Sequence, residues 1–237
     1  MKNILIVPDV HGRNFWKQAI NSDADKIIFL GDYLDPYSGE ATKEEAIENF
    51  KEILEFRKEH GDKVIMLLGN HDLGYYDNHM YADVDYWCRH DHENHEEIAK
   101  LFQDNKDYFK LHYICDNFCK GINKEKILFT HAGFNNYYYK IVSDIFGNDI
   151  DNICSELMID LRGLWCVGYV RGGERPKGSI VWSDVREHGE TPNKYLMPYF
   201  QVFGHTYCRK EIIRDDFAML DCGKKCFVID ENELYGL

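Results

Sequence analysis

ILIVPDVHG, residues 4–12, holds four strand-forming residues that give way, after a proline, to a carboxylate and an imidazole two positions apart. Ile4, Leu5, Ile6 and Val7 have no polar interruption, the pattern of a strand buried on both faces. The loop at the carboxyl end of such a strand is where open α/β folds place chemistry, and Asp9 and His11 sit there. If the backbone stays extended, this spacing turns both side chains to one side, where an oxygen and a nitrogen can share one cation. A single pair of this kind carries little weight. Its repetition decides the fold.

Four further stretches end in the same way. KIIFLGDYLDP (26–36) is apolar over 27–30 and ends in Gly31, Asp32 and Asp35, while KVIMLLGNHDL (63–73) ends in Gly69, Asn70, His71 and Asp72. KILFTHAGF (126–134) ends in Thr130, His131 and Gly133, and YFQVFGHTY (199–207) in Gly204, His205 and Thr206. Between the second and third runs, ATKEEAIENFKEILEFRKEH (41–60) spaces Thr42 and Glu45 as a capping box ahead of Ala46, Ile47, Phe50, Ile53 and Leu54. This is the amphipathic crossover helix that parallel strands require. A shorter helix is expected at RNFWKQAIN (13–21), and helical periodicity extends over 137–146 and 152–164. From Lys177 the text becomes strand-rich, and VIDENELYGL (228–237) reads as a closing antiparallel ribbon.

Residues 74–112 break this rhythm with many tyrosines, aspartates and histidines and a helix expected around 93–102. Following directly on the third ligand loop, the segment reads as a lid or substrate-recognition insertion in a single domain spanning 1–237. Its tyrosines and Trp87 could stack on a base, although packing within the insertion is the plainer role. His90, His92 and His95 lack a cysteine partner and are expected to be solvated surface residues.

The 237 residues suffice for one large α/β domain. Met1 and Lys2 run straight into the first strand without a signal-like segment, and every apolar run falls far short of the roughly 18 residues of a membrane span. A cytoplasmic protein is expected, with no membrane partner. Eight cysteines in a chain of this length, with no C-x-x-C pair, read as reduced thiols. A net charge of −13, from 41 acidic and 28 basic residues, disfavours stable nucleic-acid binding. A small phosphorylated substrate stays compatible, because divalent cations reverse the local sign.

Asp9, His11, Asp32, Asn70, His131 and His205 form a mixed oxygen and imidazole set, suited to Mn²⁺, Fe or Zn²⁺ rather than Ca²⁺. Six ligands exceed what one ion takes from protein while holding a reactive water. Two ions sharing one carboxylate, with Asp32 as the bridge, is the economical solution. Such a pair, about 3.5–4 Å apart, stabilises a bridging hydroxide near neutral pH and clamps both oxygens of a phosphoryl displacement.

In their order along the chain, D-V-H-G at 9–12, G-D-Y-L-D at 31–35, G-N-H-D at 69–72, H-A-G at 131–133 and G-H-T at 204–206 resemble the calcineurin-like metallophosphoesterases. More narrowly they are similar to the phosphoprotein phosphatase branch, with its bacterial and phage serine/threonine phosphatases and symmetrical dinucleoside tetraphosphate hydrolases. The resemblance implies a four-layer α/β/β/α sandwich with two central mixed sheets and a dinuclear site at the strand ends. It implies one ion on Asp9, His11 and Asp32, and a second on Asp32, Asn70, His131 and His205. It makes His71 the general acid, oriented by Asp35, and leaves Asp72 to brace its loop. Relatives outside this branch often read G-H-x-H in the last block, where this chain has Tyr207.

The second block departs from the branch. Where relatives continue D-R-G, the arginine binding phosphate, this chain has Asp35, Pro36 and Tyr37. IVWSDVREHGE (180–190) resembles the tryptophan-containing segment that precedes a phosphate-binding arginine in bacterial members, which points to Arg186, acting with Asn70. Arg13, Arg171 and Arg175 are weaker candidates, and MLDCGKK (219–225) resembles a family segment expected to be an edge strand. The expected function is a metal-dependent phosphomonoesterase acting on a phosphorylated protein or small molecule. The alternatives are a dinucleoside polyphosphate hydrolase, with a nucleotide substrate, and a catalytically silent metal-bound interaction module.

Overall fold

The apolar runs are strands. The computed structural model describes residues 2–77, 88–189 and 194–237, and in it β1 (Ile4–Val7), β2 (Lys26–Phe29), β3 (Val64–Leu67) and β4 (Phe109–Lys110) pair in parallel. β10 (Phe227–Ile229) joins β1 antiparallel, and β11 (Leu234–Gly236) joins β10 antiparallel, giving the order β11-β10-β1-β2-β3-β4. These six strands belong to a first compact unit, made of the chain up to Lys110 with Lys224–Asp230 and Leu234–Leu237. A second unit comprises Leu111–Gly223 and Glu231–Glu233.

In the first unit the crossover helix α1 (Lys43–His60) starts at a complete capping box. Thr42 Oγ1 accepts from Glu45 N at 3.1 Å, and the Glu45 carboxylate accepts from Thr42 N at 2.8 Å. Its buried face carries Ala46, Ile47, Phe50, Ile53 and Leu54, and Asn49 accepts from the Trp16 indole N–H at 2.7 Å. Phe50 packs on Tyr33 and on Phe102, with ring centroids 5.3 and 4.8 Å apart. Phe102 lies on α3 (His95–Asp104), which follows the short helical turn α2 (Leu73–Tyr76). The link from β1 to β2 is a 3-10 turn, Phe15–Ala19, because only Trp16 and Ala19 of that stretch have a core to face. Trp87, the aromatic expected to stack on a base, lies outside the described residues, as does all of 78–87.

The second unit holds β5 (His112–Asp116), β6 (Lys126–Thr130), β7 (Tyr199–Phe203), β8 (Ile212–Ile213) and β9 (Phe217–Met219) in the order β5-β6-β7-β9-β8. β6, β7 and β9 run parallel, and β5 and β8 pair antiparallel at the edges. α4 (Asn136–Phe146) is capped by the Asn135 side chain and α5 (Ile150–Ile159) by that of Asp149. The periodicity over 152–164 thus covers a helix that stops at Ile159 and a 3-10 turn, Leu161–Leu164.

Two expectations are corrected here. Residues 177–189 form no strand; their backbone is tied into turns, with a 3-10 turn at Val185–Glu187 begun by the Asp184 side chain. The strand leading into MLDCGKK is interior, because β8 covers the side of β9 that would otherwise be open. The two mixed sheets with their helices are consistent with the α/β sandwich implied by the motifs.

Candidate metal and phosphate site

The loops after β1 and β2 are stitched together beyond their strands. Val10 N and His11 N both donate to the Asp32 carbonyl, at 3.1 and 2.7 Å, and Gly12 N donates to that of Tyr33 at 2.9 Å. Extended backbone would not allow this. His11, Asp32 and Asp35 adopt positive φ, at 45°, 53° and 58°, so the chain turns left-handed at His11 rather than continuing the alternation of a strand. His205, in the second unit, has φ 67°. Four of the five non-glycine residues with positive φ are therefore ones that the sequence marks out for chemistry, where backbone strain gathers.

Asp32 is 2% exposed, with Oδ1 accepting from His71 N at 3.0 Å and Oδ2 lying 3.6 Å from His11 Nε2. His11 Nδ1–H donates to the Leu34 carbonyl at 2.9 Å, which leaves the Nε2 lone pair facing that carboxylate. Burial, then the neighbouring His71 charge, holds the His11 imidazole well below its usual pKa, so it stays neutral. Burial, then the Asp9 charge, drives Asp32 well above the usual carboxylate range. A lone pair and a carboxylate that are both buried and lie 3.6 Å apart, with a second buried carboxylate at Asp9, are stabilised by a cation between them. Ligand atoms of His11, Asp32 and His71 lie within 4.8 Å of one another. The donor set fits a divalent metal ion.

Asp72 holds this arrangement from behind. It is fully buried, and its carboxylate accepts from Asp32 N and Gly69 N, both at 2.8 Å, and from Tyr33 N at 3.1 Å. Gly31 and Gly69 meet at the base of the site. A Cβ on Gly69 would overlap Asp32 Oδ1, and one on Gly31 would overlap Gly69 N. These glycines thus let backbone approach backbone and a ligand carboxylate.

His71 Nδ1–H donates to Asp35 Oδ2 at 2.8 Å, and Tyr75 Oη–H donates to Asp35 Oδ1 at 2.6 Å. Burial pushes the Asp35 carboxyl up to about 7, against the pull of the Tyr75 hydrogen bond. Asn70 is buried beside Cys88, its Nδ2 lying 3.5 Å from that sulfur. The Cys88 thiol is driven well above its usual pKa by burial, then by Asp32 and Asp35. His90 is 6% exposed, stacks on Tyr75 at 4.0 Å and places Nε2 2.9 Å from His95 Nδ1. It is a packed residue beside the Asp35 relay rather than a solvated one.

In the second unit, adjacent strands β6 and β7 set His131 and His205 side by side, with Nε2 of the first 3.1 Å from Nδ1 of the second. Gly204 N donates to the His131 carbonyl at 2.8 Å. Thr206 Oγ1 accepts from Val185 N and Arg171 Nη2, both at 3.0 Å, and Arg171 Nε lies 3.1 Å from Asp184 Oδ2. Arg186 forks onto the same Asp184, at 2.7 and 3.1 Å, and its side chain is 69% exposed. Arg13, in the first unit, is paired with Glu40 at 2.6 Å. Tyr75, Cys88 and Arg89 belong to none of the five motifs and reach the site from within residues 74–112.

Residues 2–210 match the calcineurin-like phosphoesterase family, and the chain belongs to it. No curated protein sequence matches. Among solved structures, a cold-active protein-tyrosine phosphatase of a psychrophilic Shewanella species is similar at a TM-score of 0.59 and 15% identity, over 100% of this chain and 77% of that one. A serine/threonine phosphatase from Saccharomyces cerevisiae is similar at 0.51 and 12%, over 97% of this chain and 73% of that one. At such identities the likeness shows the fold alone. The family works with a dinuclear metal centre on phosphoester bonds, and this chain is a hydrolase of such bonds. Among the described residues no helix is long and apolar enough to cross a membrane.

Proposed function

We propose that the chain is a metal-dependent phosphomonoesterase acting on a phosphorylated protein or small phosphate ester. Chain 1–237 works as one domain, with 74–112 as its recognition insertion. Asp9, His11 and Asp32 would hold one ion, and Asp32, Asn70, His131 and His205 the other, an assignment that rests on the family order of the five motifs. Two divalent ions held there, manganese in our reading, would supply the Lewis acidity that activates water and neutralises phosphoryl charge.

The chain's own residues do the rest. The His11 Nδ1–H bond to Leu34 fixes the tautomer that offers Nε2 as a ligand. The Asn70 amide donates to a non-bridging phosphoryl oxygen. His71, held by Asp35 through Nδ1, gives its Nε2 proton to the departing alkoxide, and Tyr75 keeps Asp35 aimed at the imidazole. The observation that carries this reading is the buried His71–Asp35 pair, placed beside a neutral His11 and the buried carboxylate of Asp32.

A hydrolysis panel with Mn²⁺ tests it: p-nitrophenyl phosphate, its bis-ester, a phosphopeptide and diadenosine tetraphosphate. Monoesters should turn over fastest. Preference for diadenosine tetraphosphate would move the assignment to dinucleoside polyphosphate hydrolysis, and metal binding without turnover of any substrate would make the chain a silent interaction module. A trapped phosphorylated side chain would contradict direct attack by water.

A further inference from the structure

Pro36 and Tyr37 take the places of the arginine and glycine that relatives carry after the second ligand block, so the usual phosphate-binding guanidinium is missing there. Another guanidinium reaches the spot. Arg89 donates from Nη2 and Nε to the Asp35 carbonyl, at 3.0 and 3.3 Å, and its guanidinium carbon lies 3.7 Å from the centre of the Tyr37 ring. The exchange that removes one arginine therefore supplies the aromatic plate on which a different one stacks. Arg89 Nη2 is also 3.4 Å from His11 Nδ1. That nitrogen already gives its hydrogen to Leu34 at 2.9 Å, so it cannot accept from Arg89, and the contact marks proximity rather than a bond.

Charge bookkeeping separates Arg89 from Arg13, Arg171 and Arg186. Arg13 is held by Glu40, and Arg171 and Arg186 both lean on Asp184. Arg89 has no carboxylate within ion-pair distance among the described residues, although its field lowers the pKa of both Asp32 and Asp35. Among the described residues Nη1 makes no hydrogen bond, and the residue is exposed, so its outer edge can receive an anion. A guanidinium held along one edge by a carbonyl, supported on one face by a ring and open along the other edge is preorganised for two parallel bonds to phosphate oxygens.

Resting on the phosphatase reading above, we infer that Arg89 is the phosphate-binding arginine of this chain, supplied from the segment after the third ligand loop in place of the one missing beside Asp35. The test compares wild type with Arg89→Gln and Arg89→Lys, each loaded with Mn²⁺. It reads inorganic phosphate affinity by calorimetry, KM and kcat for p-nitrophenyl phosphate, and bound metal by elemental analysis.

Arg89→Gln should weaken phosphate binding and raise KM, each by about 10-fold or more, with metal content unchanged. Arg89→Lys should fail to restore either, because a point charge neither stacks nor forks. Phosphate affinity within twofold of wild type in Arg89→Gln would overturn the inference, as would full rescue by lysine, which would reduce the role to neutralising carboxylates. Loss of metal in Arg89→Gln would do the same. Arg186→Gln, measured alongside, overturns it if its phosphate affinity falls further than that of Arg89→Gln. A wild-type protein that hydrolyses none of the panel yet binds phosphate through Arg89 refutes the phosphatase reading and leaves the anion site standing. Hydrolysis by wild type with phosphate affinity indifferent to Arg89 does the reverse.

Discussion

The strand ends of the first unit and those of the second hold their polar residues by opposite means. In the first, carboxylates are fixed by backbone N–H groups: Asp72 takes three and Asp32 one, and the chain bends through three left-handed residues to present them. In the second, His131 and His205 come from neighbouring parallel strands, and the loop after His131 is propped by a neutral ring, His188. A carboxylate needs donors to offset its charge on burial, whereas an imidazole needs only to stay neutral. The first unit should therefore fail through lost hydrogen bonds, and the second through protonation.

Asp72→Ala breaks the first unit most severely. Three buried N–H groups lose their acceptor, each at a cost of about 1–3 kcal/mol, and the Asp32 loop loses the anchor that sets its left-handed turn. Urea denaturation should show a loss of at least about 3 kcal/mol, accompanied by loss of bound metal. A stable variant with intact metal content would mean that the glycine pair alone shapes the loop.

His188 tests the second unit. It is buried, stacks on Phe203 at 4.5 Å, and donates from Nε2 to the Ala132 carbonyl at 3.0 Å. Burial lowers its pKa from 6.5 to about 4. The unfolded chain then binds a proton that the folded chain refuses, so the stability from this group is present above pH 6.5 and is lost as pH falls through the window down to about 4. The loss amounts to about 3 kcal/mol across that window, and His188→Gln should flatten this part of the stability profile. An unchanged slope would place the acid sensitivity elsewhere.

His71→Ala leaves both scaffolds standing and removes the proton donor. kcat should fall about 100-fold, least with good leaving groups, with metal content intact. Metal loss instead would make His71 a ligand, a role that its closeness to His11 and Asp32 would allow.

Much of this was legible because the ligand loops end runs such as 4–7 and 64–67, buried on both faces, and because Thr42 and Glu45 cap α1 within one turn. Such features are local. What was illegible depends on distant chain. Nothing near His11 announces its left-handed turn, which follows from two N–H groups reaching the Asp32 carbonyl. Arg89 belongs to no motif and is recognisable only once it lies over Tyr37. Arg186 stands two residues after Asp184, and that short step already lets the carboxylate capture the arginine.

Tyr75→Phe is the gentlest probe of the first unit, because it removes one oxygen and little packing. The ring stays stacked on His90, while Asp35 loses the donor at Oδ1 and Asp91 N loses its acceptor at 2.7 Å. If Tyr75 acts by holding Asp35 against His71, kcat should drop by about fivefold, the scale of one hydrogen bond of about 1 kcal/mol, while KM and bound metal stay as they are. If the hydroxyl serves only the fold, the same substitution should lower urea stability by a similar amount and leave kcat alone. Measuring both on one preparation separates a relay that is aimed from one that is merely buried, and it extends the contrast between the units to the scale of a single hydrogen bond.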